Sequence, residues 1–418
     1  MAAARKRIEA DSTSAARESE SHGEGTLVAI NDRRHKMRVV VAGAPEEIAG
    51  HAHAWASLAA AAIEPNAFYE PWMLIPAVKH LAGNDELHFV FIYATDSAKP
   101  TERPLLCGFF PLQRSRRAMG LVNSLRLWKH IHCFLCTPLL RRGRAEECLE
   151  ALFDWLAEAP FGCSIIEFGS VAGDGPFHRL PVDYFFNRGS VDFVSEQHTR
   201  ALFRRSETAD AFMRSSLNTA RRKELRRKMN RLADGGQLEW TSLEKDDDLE
   251  TWIAEFLEME AAGWKGRAGG AINCSKSQRE FFAEICEAAH RQGSLRAIGL
   301  RINGRPIAQR WCFVSGEGSF AFKTAFDERF SRQSPGVLLQ VEQARRLHSD
   351  PAIQWMDSCA ASDSHLNHLW RDRRIIETVV AGNGGPLGDF IVSMMPLLRW
   401  AFRTARLRRA RRDRKEPG

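Results

Sequence analysis

One order of secondary-structure elements occurs twice along this chain, and that repetition constrains its fold more than any other feature. In the first half, apolar runs predict three strands, a helix and a fourth strand, at residues 88–94, 105–112, within 124–140, 145–157 and 165–169. In the second half the same order follows two helices, at residues 295–301, 306–314, 319–326, a helix from about 335, and 353–357. The repetition predicts an α/β (mixed-sheet α+β) fold present in two tandem copies.

The length of 418 residues also favours two domains over one. Residues 1–36 are rich in Ser, Glu and Arg and predict a disordered arm. We expect one α/β unit over residues 37–195, a second over 196–382, and a basic tail over 383–418.

The tail combines a short apolar segment, 390–398, with eight arginines after it. This pattern suits either a disordered basic tail or a peripheral contact of residues 399–415 with anionic lipid. Arg408 falls on the same helical side as Leu397 and Ala401, so a helix here would have a mixed face and the disordered tail is favoured.

Composition and cysteine usage indicate where the protein works. Nine cysteines, an odd number, lie scattered through predicted strands and helices, as in proteins of a reducing cytosol. No apolar stretch near the start resembles a signal peptide, and no run approaches the roughly 20 residues of a membrane-spanning helix. We therefore expect a cytoplasmic protein, and a peripheral contact with the inner face of the membrane is compatible with this expectation.

The chain has a net charge of +7, and its basic residues are concentrated in a few segments. Seven of the eleven residues 221–231 are Lys or Arg, with Leu225 and Met229 at helical spacing. The segment predicts an amphipathic helix whose basic face is either solvated or binds an anionic ligand at the edge of a groove. It lacks interleaved aromatic residues, which disfavours nucleic acid as a partner.

The segment 320–339 carries the most chemical information. Its strand ends near Asp327, a polar loop follows, and Ser334-Pro335-Gly336 opens a helix. Proline fits a first helical turn, and the free N–H groups of such a turn bind anions. A well-capped helix without a ligand would present the same pattern. If the turn binds an anionic cofactor, six residues are expected to hold it: Arg332, Gln333, Ser334, Pro335, Gly336 and Val337.

Four segments together resemble a known enzyme family: 262–271 (AGWKGRAGGA), 308–313 (AQRWCF), 322–326 (FKTAF) and 334–339 (SPGVLL). They are similar to GNAT N-acyltransferases of the CelD-like group, which is associated with cellulose and exopolysaccharide biosynthesis and resembles the tandem-GNAT FemAB enzymes. The resemblance implies that residues 332–337 hold the diphosphate of acetyl-CoA or another acyl-CoA. It also implies an acceptor site at Trp264, Lys265 and Lys323, with burial of Trp264 against the sheet as the alternative. The first-half loop 137–143 lacks the Ser-Pro-Gly start, so we expect a non-catalytic first unit.

Acyl transfer to an amine needs a group that accepts the amine proton. Asp357, His365, Asp327 and Asp363 are the candidates, because Asp357 ends a strand beside the predicted cofactor helix and the unperturbed pKa of a histidine such as His365 suits the task best. Asp327 alternatively braces the cofactor loop. The tyrosine that many GNAT enzymes use as a general acid has no counterpart in the second half, because the three tyrosines, Tyr69, Tyr93 and Tyr184, precede it.

The sequence thus predicts transfer of an acyl group from acyl-CoA to an amine, such as an amino sugar or a precursor of envelope polysaccharide. The alternatives are an aminoacyl-tRNA-dependent transferase of the FemAB type and a catalytically silent scaffold of a polysaccharide-synthesis complex. No metal is expected, because His130, His132, Cys133 and Cys136 contain a single Cys-x-x-Cys, and strand alternation would send these side chains to opposite faces.

Overall fold

A computed structural model describes residues 26–27, 37–95, 103–117, 122–188 and 191–413. Apart from residues 26–27, the predicted disordered arm lies outside the described residues, and so do residues 414–418. The strands are β1 Thr26–Leu27, β2 Met37–Ala42, β3 Leu87–Ala94, β4 Leu105–Arg117, β5 Val122–Leu127, β6 Leu139–Leu140, β7 Ile165–Ala172, β8 Asp192–Arg204, β9 Leu238–Ser242, β10 Leu295–Ile302, β11 Arg305–Ser315, β12 Gly318–Phe326, β13 Trp355–Asp357 and β14 Asp372–Gly382. The α-helices are α1 Pro45–Gly50, α2 Ala52–Ala60, α3 Pro71–Leu81, α4 Ala145–Ala157, α5 Pro176–Arg188, α6 Ala209–Ser216, α7 Thr219–Ala233, α8 Leu249–Ala262, α9 Trp264–Arg267, α10 Lys276–Arg291, α11 Pro335–Ser349 and α12 Pro386–Asp413.

The strands form one mixed sheet in the order β1-β2-β3-β4-β5-β7-β14-β8-β13-β12-β11-β10-β9, and β6 pairs with β4. Neighbours are antiparallel except for β5 with β7 and β12 with β13. Each half therefore contributes an antiparallel meander that ends on a parallel neighbour. The repeated strand order and the α/β class predicted from the sequence are confirmed.

Local sequence accounts for the ends of several elements. Asn303 and Gly304 join β10 to β11 with φ of +50° and +78°, as a type I′ hairpin turn requires. The side chain of Asp248 caps α8 by accepting hydrogen bonds from the N–H groups of Glu250 and Thr251. Pro335 occupies the first turn of α11.

Five strands were not predicted: β1, β2, β8, β9 and β14. β8 and β14 are rich in charged residues and lack a clean alternation of buried and exposed positions. They pair with each other along ten residues, and β14 also pairs with β7. Pairing with strands distant in sequence, and not local pattern, stabilises them.

The predicted disordered tail is wrong for residues 386–413, which form the helix α12. Val392 of this helix is fully buried against Ile165 and Val380 of the sheet. That docking supplies the tertiary contacts that a marginal helix needs. Among the described helices, none combines the length and the apolar character needed to cross a membrane.

A single large apolar cluster runs through both halves of the protein, from Met37 of β2 to Ala381 of β14. A second cluster lies on the other face of the second half, under α6, α7 and α11. The second half of the sheet is therefore covered on both faces, with α8 and α10 on one and α7 and α11 on the other.

Candidate functional site

β12 and β13 separate in the middle of the second half. They pair at only three positions, from Gly318 opposite Trp355 to Phe320 opposite Asp357, after which β12 continues to Phe326 paired with β11 but no longer with β13. A Cβ atom at Gly318 would lie 2.2 Å from the ring of Trp355, so glycine allows the close approach at the paired end. Beyond Phe320 the side of β12 that faced β13 is released from pairing.

A β-bulge lies at the start of this opening. Trp311 of β11 pairs with Lys323 but the next residue, Cys312, pairs with Ala321, so Phe322 is the extra residue. A bulge re-aims the side chains around it. Lys323 and Thr324 then project from opposite faces of the sheet, as successive strand residues do.

The predicted cofactor loop closes one face of this opening. A 3₁₀ turn, Glu328–Gln333, leads into Ser334, whose φ of +52° turns the chain into α11. A Cβ atom at Gly336 would lie 3.4 Å from the ring of Phe326, so the first turn of α11 packs against the free end of β12. Arg332 is exposed, whereas Ser334, Gly336 and Val337 are half-buried.

The basic helix α7 lies against this loop. Lys228 donates a hydrogen bond to the hydroxyl of Ser334 at 2.9 Å and pairs with Glu224 at 2.9 Å. An ammonium group therefore lies next to the first turn of α11, whose N–H groups already favour an anion.

A groove of about 480 Å³ begins beside this contact and runs between α6, α7 and α11. Its lining is apolar and mainly basic; the apolar residues are Met213, Leu225, Met229, Trp240, Leu338 and Val341, the arginines are Arg214, Arg222, Arg226 and Arg345, and the acidic residues are Asp210 and Glu342. Glu342 is paired with Arg346, outside the groove. None of the four guanidinium groups forms an ion pair with a carboxylate of the described residues. The groove thus has the character of a site for a flat or apolar ligand with a negative charge.

A polar cluster occupies the other face of β12. Lys323 Nζ lies 3.1 Å from Nδ1 of His132, and Nε2 of the same ring lies 3.1 Å from the Gln278 amide oxygen. Burial, and then the Lys323 charge, lower the pKa of His132 to about 3, so the ring is neutral. Nδ1 therefore accepts from Lys323, and Nε2–H donates to Gln278. Burial also lowers the pKa of Lys323 to about 8.

The same cluster contains Glu260 and Lys265. Glu260 is buried and accepts hydrogen bonds from Lys265 Nζ at 2.8 Å and from the Ile272 N–H at 2.9 Å. Lys265 Nζ also lies 3.4 Å from the Thr324 carbonyl oxygen. Of the two predicted acceptor-site lysines, Lys265 therefore pairs with this carboxylate, while Lys323 contacts His132 and senses the charges of both Glu260 and Lys265.

Trp264, the third predicted acceptor-site residue, keeps its ring in solvent, with 60% of the residue exposed. The backbone N–H of Trp264 donates to the Glu328 carboxylate at 2.6 Å, and Glu328 also pairs with Arg267 at 2.7 Å. The predicted acceptor segment and the predicted cofactor loop are therefore held together by one glutamate.

Asp357, a predicted proton acceptor, is held in buried ion pairs. It is fully buried and pairs with Arg200 at 2.6 Å and Arg374 at 3.0 Å. Burial acts to raise the pKa of Asp357, but the two guanidinium groups outweigh burial and lower it. A carboxylate so stabilised in its ionised form accepts protons poorly, which disfavours the predicted catalytic role.

Two of the other predicted proton acceptors lie at the edges of the site, and the third, Asp363, is exposed. Asp327 caps the 3₁₀ turn and binds Arg329, whose hydrogen bonds lower the pKa of that carboxyl group. This contact corresponds to the bracing role weighed for Asp327. His365 begins a short 3₁₀ helix, His365–His368, and its side chain lies outside the described residues.

Sequence reasoning missed Glu260, His132 and Gln278 as site residues, whereas Lys228 belongs to segment 221–231, for which an anionic ligand was weighed. A usable signal existed for Glu260, because a carboxylate four residues after Phe256 interrupts the apolar stripe of α8. His132 had been weighed only as a metal ligand. In the part of the chain that the structure describes, no group of three or more His, Cys, Asp or Glu side chains is placed to hold a metal ion.

Comparison with known proteins agrees with this geometry. Residues 219–365 match the family described as an acetyltransferase (GNAT) domain, a segment that spans β9 to β13 with α7 and α11. No curated protein matches the chain. The second half of the protein is therefore similar to GNAT acetyltransferase domains over residues 219–365.

Solved structures extend the likeness to the fold of both halves. The structure of FemX covers 79% of this chain and 95% of its own, with 9% identity and a TM-score of 0.53. A conserved protein of unknown function from Bacteroides thetaiotaomicron VPI-5482 covers 79% and 96%, with 10% identity and a TM-score of 0.49. A tandem GNAT protein from the clavulanic acid biosynthesis pathway covers 84% and 99%, with 13% identity and a TM-score of 0.40. At these identities, the FemX likeness bears on the fold alone.

Proposed function

We propose that this protein transfers an acyl group from acyl-CoA to an amine at the opening between β12 and β13. The family match over residues 219–365 supports a transferase. The observation that carries the proposal is the geometry of β12: its end beyond Phe320, which no longer pairs with β13, has the first turn of α11 on one face and the Lys323 cluster on the other. A donor and an acceptor can thus meet across a single strand.

The donor diphosphate would bind at the first turn of α11, at residues 332–337. The N–H groups of that turn, Lys228 and the exposed Arg332 supply positive potential there. Met229 and Asn230, next to Lys228, line the arginine-rimmed groove. We place the adenosine 3′-phosphate of coenzyme A in that groove, where Trp240 offers a stacking surface and the arginines offer charge.

The acceptor would bind at Trp264, Lys265 and Lys323. Two ammonium groups beside the single carboxylate of Glu260 leave this cluster with net positive charge. An acceptor that carries an anionic group near its amine suits such a cluster. An amino sugar or a precursor in envelope polysaccharide synthesis, which the CelD-like resemblance implies, belongs to the class we propose.

The reaction forms a C–N bond between the amine and the thioester carbonyl carbon and breaks the C–S bond. The thiolate of coenzyme A leaves and takes up a proton. With a pKa of about 8, Lys323 can donate that proton near neutral pH, the role for which the second half has no tyrosine. Of the groups considered to accept the amine proton, His365, Asp327 and Asp363 stay candidates. The ion pairs of Asp357 disfavour it.

Calorimetric titration with acetyl-CoA and longer acyl-CoAs tests the donor site. We expect micromolar binding by the wild type and at least roughly ten-fold weaker binding by Gly336→Glu, which places a carboxylate at the proposed diphosphate site. Gly336→Ala is the matched control, because its Cβ atom would make only an ordinary contact with Phe326. Failure of the wild type to bind any acyl-CoA would contradict the proposal.

Comparing coenzyme A with 3′-dephospho-coenzyme A tests the groove. Arg226→Gln should weaken binding of coenzyme A roughly ten-fold and leave the dephospho form unchanged, because only the former carries the 3′-phosphate. Arg227→Gln, on the same helix but outside the groove residues, is the control. Equal binding of both ligands by the wild type would place the 3′-phosphate elsewhere.

The FemAB-type alternative, in which aminoacyl-tRNA is the donor, is the second candidate, and the fold likeness to FemX favours keeping it. Exposed basic residues of α7 would then contact the RNA backbone. Binding of tRNA should weaken steeply between 50 and 200 mM salt, on the order of 10³-fold if about six phosphates are contacted.

A protein that binds acyl-CoA but turns over no amine would instead support the silent scaffold.

A further inference from the structure

The helix α12 has two apolar sides, of which only one is used for packing. Val392 is fully buried against β7 and β14, and a Cβ atom at Gly388 would lie 2.3 Å from the carbonyl oxygen of Ser164. Arg399, two turns on, donates to the Ser195 carbonyl oxygen, and its guanidinium group lies 6.0 Å from the centre of the Phe193 ring. This side fixes the helix on the sheet.

The opposite side exposes four large apolar residues. Leu387, Phe390, Leu397 and Trp400 are 61%, 64%, 55% and 66% exposed. At about 100° per residue, they share an arc of about 140° that points away from Val392. Single exposed apolar residues are ordinary, but four on one helix face form a patch that other molecules contact.

A strongly basic segment follows these residues along the helix. Six arginines lie within the last eleven residues of α12, against one acidic residue, Asp413: Arg403, Arg406, Arg408, Arg409, Arg411 and Arg412. An occupant of the surface must therefore be apolar where it meets residues 387–400 and negatively charged where it meets residues 403–412.

We propose that α12 lies flat on an anionic lipid surface, with Leu387, Phe390, Leu397 and Trp400 inserted at the level of the lipid headgroups. Apolar side chains with a tryptophan, followed by arginines, match the interfacial region of such a bilayer. A second copy of this chain would bring two arginine clusters together if the helices were parallel, and would place each cluster beside apolar residues if they were antiparallel. Nucleic acid would leave the apolar residues in water.

A lipid contact of α12 is independent of the proposed reaction. It begins at residue 387, earlier in the chain than the residues 399–415 considered from the sequence. The sequence pattern placed the contact at residues 399–415 and gave the helix a mixed face. The structure adds the exposed residues of the preceding turns and shows that the docked side of α12 is a different one.

Sedimentation with lipid vesicles tests the proposal on the full chain. We expect binding to vesicles of phosphatidylcholine with 30% phosphatidylglycerol and at least roughly ten-fold weaker binding to pure phosphatidylcholine, because the neutral lipid offers the arginines no counter-charge. The triple variant Phe390→Ser, Leu397→Ser, Trp400→Ser should bind the anionic vesicles at least roughly ten-fold less. Phe186→Ser, which changes an 85% exposed phenylalanine on α5, is the matched control and should bind as the wild type does.

Three results would overturn the proposal. One is a wild type that sediments with neither vesicle. Another is unchanged binding by the triple variant, which would leave the arginines as a non-specific attraction. The third is a dimer in light scattering that the triple variant abolishes, which would identify the exposed face as a contact between copies of this chain.

Discussion

At the scale of single residues, the buried charges at the junction of the two halves have an architectural role. Arg374 connects Asp357 of the second half, at 3.0 Å, with Glu64 of the first half, at 3.7 Å. Arg200 adds a hydrogen bond to the carbonyl oxygen of Phe134 at 2.6 Å. These groups are all buried, so each charge depends on its partners.

Replacing Asp357 with Asn should therefore lower the free energy of unfolding by about 3–5 kcal/mol, because two buried guanidinium groups lose their counter-charge. Urea denaturation measures the change. Asp363→Asn, at an exposed position, should leave stability within about 0.5 kcal/mol of the wild type. Unchanged stability with lost activity would return Asp357 to the catalytic candidates.

Lys323 gives the proposed reaction a pH dependence. If its ammonium group protonates the leaving thiolate, kcat should fall as pH rises through about 8. Lys323→Met should lower kcat on the order of 10²-fold and abolish that limb of the pH profile. Lys276→Met, which changes a lysine 80% exposed, is the control. A profile that keeps its alkaline limb in Lys323→Met would assign the limb to another group.

The same lysine makes a prediction for stability. Its pKa is lower in the folded protein, about 8, than the roughly 10.4 of an unfolded chain. Between these values the unfolded state binds more protons, so stability should rise with pH across this window. Urea denaturation at pH 7.5 and pH 9.5 should show that rise in the wild type and a smaller one in Lys323→Met.

At the scale of elements, the junction of β12 and β13 decides where a ligand can enter. Three paired positions hold the strands together, and the free end of β12 begins directly after them. α11 and its preceding loop pack on that free end through Gly336 and Phe326. The geometry of the opening thus depends on how closely the paired ends approach.

Gly318→Ala tests this dependence. Its Cβ atom would lie 2.2 Å from the Trp355 ring, so one strand must shift, which should cost about 1–3 kcal/mol of stability. Because the opening starts beyond the next two residues, acyl-CoA binding should also weaken. Gly50→Ala, where no atom lies within 4 Å of the added Cβ, should leave both measurements unchanged. Full binding by Gly318→Ala would separate the opening from this contact.

At the scale of the whole molecule, the two copies of the strand order share one structure. β14, near the end of the chain, lies between β7 of the first half and β8, and one apolar cluster runs from β2 to β14. His132 of the first half also reaches Lys323 of the second. The division at residues 195 and 196 stays a prediction, and neither part of the sheet is complete without β14.

We expect the described part of the chain to unfold in one cooperative transition. Calorimetry should give a single peak whose calorimetric and van't Hoff enthalpies agree, because the shared core couples both halves. Removing residues 372–418 should abolish folding of the first half as well, since β7 loses a neighbour. Two separate transitions would show that the halves are independent.

The sequence by itself determined the features that depend on neighbouring residues. The apolar runs fixed the repeated strand order, Asn303-Gly304 fixed a hairpin, and Ser334-Pro335-Gly336 fixed the start of α11. These signals act over one turn or one strand, so they are readable without the rest of the chain.

Only the tertiary structure decided which of the polar residues face each other. Lys323 contacts His132 across 191 residues of sequence, and Arg200 contacts Asp357 across 157. Whether a charged side chain serves chemistry or architecture depends on its burial and its partners, because burial and nearby charges set the cost of ionising it. Such contacts exist only after distant strands have paired. The sequence alone therefore suggested Asp357 as a base and did not point to Glu260.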